Sequence, residues 1–133
     1  MFVPTPGVVQ APVDMGQALA ALEGSKELLT TVVQMVVDQA GVDMAAIRSD
    51  VAAKSAVALA ASSHRLKGSL GAIAAKPAHQ ACSALNKLAR SSAVASYPLG
   101  LAELEMEMDR LLPYLRTWLD QNKNAKELED GKS

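Results

Sequence analysis

Apolar residues recur three and four positions apart through most of this chain, the spacing of one face of a helix, and no stretch shows strand-like alternation. The cleanest signal comes last: Leu101, Leu104, Met108, Leu111, Leu115 and Trp118 form one stripe. Pro113 lies inside it and is expected to remove a backbone hydrogen bond and kink the helix. Leu29, Val32, Val33, Val36, Val37 and Ala40 give a second stripe, which Met44, Ile47 and Val51 resume to about residue 53. Gly41 interrupts it and leaves open whether that helix bends or breaks. A third helix is predicted over residues 55–75, punctuated by Lys76-Pro77, and Pro77 suits the first turn of the next. There Ala78, Ala81, Cys82, Leu85, Leu88 and Ala89 make the apolar side. Residues 91–98 read as a loop of small residues.

Polar and special residues set the ends. Residues 1–13, with Pro4, Pro6 and Pro12, read as a disordered lead-in. Asp14 is an N-cap candidate for a short helix over 15–22 that Gly24 ends, and Ser25 is the cap candidate of the long helix after it. From Gln121 the chain turns polar, so 121–133 is expected to be a flexible tail. Four amphipathic segments with short connections predict an all-α fold, an antiparallel four-helix bundle over 14–120 with a short additional N-terminal helix.

Composition sharpens this reading. Half of the 133 residues are hydrophobic but only 3% are aromatic, a balance that favours closely packed helices over sheets. A net charge of -1 gives no basic footprint for nucleic acid. No window approaches the ~20 apolar residues of a membrane span, and the N-terminus lacks the basic and apolar regions of a signal peptide. A cytoplasmic location is therefore expected. Cys82 is the only cysteine, so no internal disulfide forms, and on an apolar stripe it reads as a small core residue.

The candidate chemistry lies in the third helix. Counting ~100° per residue, Leu59, Leu66, Leu70 and Ile73 share its buried side. His64 falls roughly 160° from Leu66, among Val57, Ala60, Ala61, Gly68, Gly71 and Ala75. The helix thus turns a titratable nucleophile outward on a face of small side chains. Each glycine in a helix interior costs ~1 kcal/mol relative to alanine, so a close neighbour, either another helix or a visiting protein, should offset it. Lys67, about 60° round and one turn along, favours the visitor, because a cation there could neutralise a phosphoryl group on the imidazole. With an ordinary pKa of ~6.5 a histidine is substantially neutral near pH 7, as a nucleophile must be.

His64-Arg65-Leu66-Lys67-Gly68-Ser69 resembles the H-x-L-K-G-S signature of histidine-containing phosphotransfer (HPt) domains, the phosphocarriers of two-component phosphorelays. Gly24-Ser25-Lys26-Glu27-Leu28-Leu29 is similar to the start of the family's first long helix, and Ala81-Cys82-Ser83-Ala84-Leu85 to the start of the helix that follows the signature. There are two departures: Leu70 stands where the family often has a small residue, and Ala74 where many members have a glycine. The resemblance implies a helical bundle in which His64 takes a phosphoryl group, on Nε2 in the family, from a receiver-domain aspartate and returns it to another. It implies that Lys67 stabilises the phosphoryl charge and that Gly68 lets the partner approach. The small-residue face, with Arg65, would touch that partner. Response-regulator receiver domains and a hybrid histidine kinase are the expected partners, and a monomer the expected state.

No P-loop, kinase-like glycine-rich motif or acidic cluster for Mg²⁺ is present. The chain is therefore expected to be a carrier, not an enzyme, with no cofactor or metal of its own and Mg²⁺ on the receiver. His79 lies outside the signature and reads as an exposed helix residue, while Glu103, Glu105 and Glu107 spread round a solvated side. The rival reading is a non-catalytic HPt-like adapter that binds receivers or kinases without carrying phosphate. A kinase dimerisation helix fits less well, since it normally has an acidic residue where this chain has Arg65.

Overall fold

The computed structural model describes residues 11–130, with side chains through residue 122. Residues 1–10 of the expected lead-in and 131–133 of the expected tail lie outside the described residues. The elements are α1 (Met15–Ala21), α2 (Lys26–Ala52), α3 (Ala56–Ala72), α4 (Lys76–Arg90) and α5 (Tyr97–Asp130), with a 3₁₀ turn at Val94–Ser96. No strand occurs among the described residues. α2 packs on α3, α3 on α4, α4 on α5, and α5 closes the ring against α2, while α1 lies against α2 at one end. The fold is the expected four-helix bundle with a short extra helix.

The stripes read from the sequence are the core. Leu29, Val33, Val36, Ala40, Met44 and Ile47 of α2 face Leu59, Leu66 and Leu70 of α3, Cys82 and Leu85 of α4, and Leu104, Met108, Leu111 and Leu115 of α5, all buried. α2 runs unbroken through Gly41, which is exposed, and a side chain there would meet nothing within 4 Å. α5 likewise continues through Pro113. Pro113 is exposed, as is Asp109, the residue whose carbonyl it deprives of a donor. Where α4 and α5 cross, a Cβ on buried Gly100 would lie 3.0 Å from Leu88 Cδ1 and 3.1 Å from Leu85 Cδ1, so a side chain there would need both leucines to give by a few tenths of an ångström.

The first three helices start with one device. The Oδ1 of Asp14 accepts from the Gln17 amide at 3.0 Å, and the Oγ atoms of Ser25 and Ser55 accept from Leu28 and Ala58 at 3.2 Å, each satisfying an orphan N–H of a first turn. The first four helices end in Schellman motifs, whose left-handed residues are Glu23, Lys54, Ala74 and Ser92 at φ between 54° and 57°. For α3, the Ala74 amide donates to Gly71 and that of Ala75 to Leu70, closing both loops of the motif. α3 therefore stops at Ala72, three residues short of the expected end, and Ala75 is the N-cap of α4.

A Cβ in the left-handed region costs roughly 1 kcal/mol, and Lys54 is exposed. Lys54→Gly is therefore expected to raise unfolding stability by about 1 kcal/mol. Ala74→Gly should gain less, because it also removes a methyl that is only 8% exposed. Urea denaturation of both variants checks this ordering.

Candidate functional site

The Ser55 cap and the apolar stripe fix the rotation of α3. Leu59, Leu66 and Leu70 are fully buried, so the opposite side faces out. On it His64, Ala61, Gly68 and Gly71 are exposed, Val57 is 85% exposed, and Ala60 and Lys67 are half-buried. The sequence count placed these residues together, and the structure does so with one correction. Ala75 lies beyond the end of α3 and is 0% exposed, so it cannot touch a partner. The chain leaves the helix after Ala72, so the helical count does not reach Ala75.

Beneath His64 lies a polar layer that the sequence reading missed. Asp43, Ser62, Ser63 and Asn86 are buried there, with Cys82 among them. Asn86 of α4 donates through Nδ2 to the Ala60 carbonyl and to Ser63 Oγ, both at 3.0 Å. Ser63 Oγ donates to the Leu59 carbonyl at 2.7 Å, and Cys82 Sγ donates to the Ser63 carbonyl at 3.1 Å. In an α-helix the carbonyls of residues 60 and 63 also accept from the amides of residues 64 and 67. α4 thus grips the carbonyls that carry His64 and Lys67, fixing the height and rotation of that turn. Burial pushes the Cys82 thiol up to about 12, with Lys67 pulling it down and Asp43 pushing it further up. The thiol stays protonated near neutral pH, as a donor must.

On the α2 side, Arg65 Nε lies 3.9 Å from Oδ1 of the buried Asp43, which also accepts from Gln39 Nε2 at 3.4 Å. On the other side, Lys67 makes no ion pair among the described residues. His64 thus lies between Arg65, loosely tethered to Asp43, and Lys67, which has no ion pair among the described residues, and a cation beside the imidazole can serve an anion placed on it. Gly68 has a related property. A Cβ built on it would meet nothing within 4 Å, so nothing inside the chain requires glycine. His79, expected to be simply exposed, is half-buried: a Cβ on Gly71 would lie 3.6 Å from its Cδ2 and 3.7 Å from its Nε2.

No cluster of three or more His, Cys, Asp or Glu able to hold a metal occurs among the described residues. No described helix is long and apolar enough to cross a membrane.

Comparison with known proteins bears on this arrangement. The model of the Hpt domain family matches residues 31–114. The fold superposes on the crystal structure of histidine-containing phosphotransfer protein B from Pseudomonas aeruginosa with a TM-score of 0.76. Sequence identity is 18%, and the match covers 85% of this chain and 98% of that one. Comparison with curated proteins gives no match.

Proposed function

We propose a definite site and reaction for this chain, which belongs to the Hpt domain family and is a histidine phosphotransfer protein of a phosphorelay: His64 is the phosphoryl acceptor. The observation that carries the assignment is His64 standing exposed beside Lys67, which has no ion pair among the described residues, on a face of small residues.

The neutral imidazole attacks with the lone pair of its unprotonated nitrogen. An N–P bond forms at the phosphorus of a receiver's aspartyl phosphate, the P–O bond to the aspartate breaks, and the carboxylate leaves with the electron pair. The second ring nitrogen keeps its proton. The transition state is loose and needs alignment and charge neutralisation more than covalent help. Lys67 supplies a positive charge to the phosphoryl oxygens. Gly68 lets the receiver's backbone close over the site, and the receiver brings Mg²⁺ with its own carboxylates. The grip of α4 on the carbonyls of residues 60 and 63 holds the acceptor in place, so that little reorganisation accompanies transfer. Reversal of the same step returns the group to a second receiver, and a hybrid histidine kinase is the proposed upstream source.

The test is transfer from a panel of receiver domains phosphorylated on aspartate, with Mg²⁺ present. Acid-labile, alkali-stable label on this chain is the expected result. Receivers that bind without giving up label would replace this reading with that of an adapter.

A further inference from the structure

The charges of this chain are segregated in a way the transfer step does not require. Residues 51–102 contain no Asp or Glu, although the whole chain has 14. The same stretch carries Lys54, Arg65, Lys67, Lys76, Lys87 and Arg90. It includes all of α3 and α4, the two helices on either side of the groove beside His64.

The register of α4 is set by contacts that run antiparallel to α3: Asn86 to Ala60, Cys82 to Ser63, then His79 beside Gly71. Ala78, Cys82, Leu85 and Ala89 face the core. Lys76, His79, Ser83, Lys87 and Arg90 recur at three- and four-residue spacing on another side, where none is fully buried. Lys76 lies 3.9 Å from Asp14. The others have no ion pair among the described residues. His79 sits where this stripe meets the exposed Gly71 of α3, and neither ring nitrogen has a hydrogen-bond partner among the described residues.

We propose that the α3–α4 pair is an electrostatic docking face for an acidic receiver surface, with His79 the specificity-determining residue that hydrogen-bonds a carboxylate at the rim of that surface. Charge complementarity carries the choice of occupant: two helices that carry cations and no carboxylate of their own, with Asp14 beside Lys76 and the buried Asp43 beside Arg65 the acidic neighbours, disfavour a basic partner and steer an acidic one. The inference rests on the phosphocarrier reading and adds to it the chemistry by which a receiver is selected.

The experiment measures single-turnover transfer against receiver concentration, at low and moderate salt, for the full chain and three variants. His79→Leu is expected to raise the half-saturating concentration about tenfold, the ratio that one charge-assisted hydrogen bond supplies, with the maximal rate kept. His79→Gln, which retains a donor, should recover part of that loss. Lys87→Glu should raise half-saturation severalfold at low salt and less at moderate salt, since screening weakens exposed charges. Arg116→Glu on α5, outside this face, serves as the reference. Half-saturation indifferent to salt and to His79→Leu would overturn the proposal, as would a loss in His79→Leu confined to the maximal rate. Failure of the phosphocarrier reading is separate, for it would show as no label on the unaltered chain.

Discussion

Substituting His64 with glutamine is expected to reduce phosphoryl acceptance to background while leaving the bundle folded. Glutamine keeps a polar side chain of similar reach but has no nitrogen lone pair able to form the N–P bond. His64 is exposed and its imidazole makes no hydrogen bond among the described residues, so the change in unfolding stability should stay within about 0.5 kcal/mol. The layer beneath it does not depend on the imidazole, since Asn86, Ser63 and Cys82 bond to one another and to backbone carbonyls. Transfer from the most active receiver and urea denaturation, run side by side, check both halves. Label on His64→Gln at the wild-type rate would move the acceptor elsewhere, with His79 the remaining histidine.

The fold was legible because its information is periodic. Each long helix carries enough apolar residues at three- and four-residue spacing to declare its buried side, and those residues are the core. The helix ends were harder to read because their chemistry is unusual. Left-handed positions normally announce themselves as glycine, yet here Glu23, Lys54, Ala74 and Ser92 occupy them. Periodicity alone therefore extends α3 three residues too far and puts Ala75 on a face from which it is buried. The departure at Ala74 from the pattern that the resemblance implies has its physical meaning in that left-handed φ of 54°.

The site divides the same way. His64, Lys67 and Gly68 were visible because α3 alone determines which way they point. Asn86, Asp43 and His79 belong to other helices, and their roles arise only where helices meet. Asn86 interrupts an apolar stripe and Asp43 adjoins one, patterns that resemble ordinary surface polarity until the register of α4 against α3 is known. Their arrangement separates two tasks. Contacts below the helix fix the turn that carries His64, while the groups above it, on the proposed function, are left for a visitor.

Gly68 gives the sharpest test of that separation, because fold and function should respond with opposite sign. It lies inside α3, is exposed, and a Cβ there meets nothing within 4 Å. For the isolated protein glycine is therefore a cost without compensation, and Gly68→Ala should raise unfolding stability by about 1 kcal/mol. Gly68→Gln should also fold, since its side chain extends into open space. Transfer should move the other way, falling modestly for alanine. For glutamine it should fall on the order of 100-fold, the scale of rate loss when reacting groups are held about 1 Å from their productive separation. The added side chain would stand one turn beyond His64, in the path of the receiver loops that bring the aspartyl phosphate into line. Single-turnover transfer and urea denaturation of both variants decide the matter. A glutamine variant that transfers at the wild-type rate would show that no partner backbone approaches this turn, and the cost of Gly68 would then lack an explanation in either fold or function.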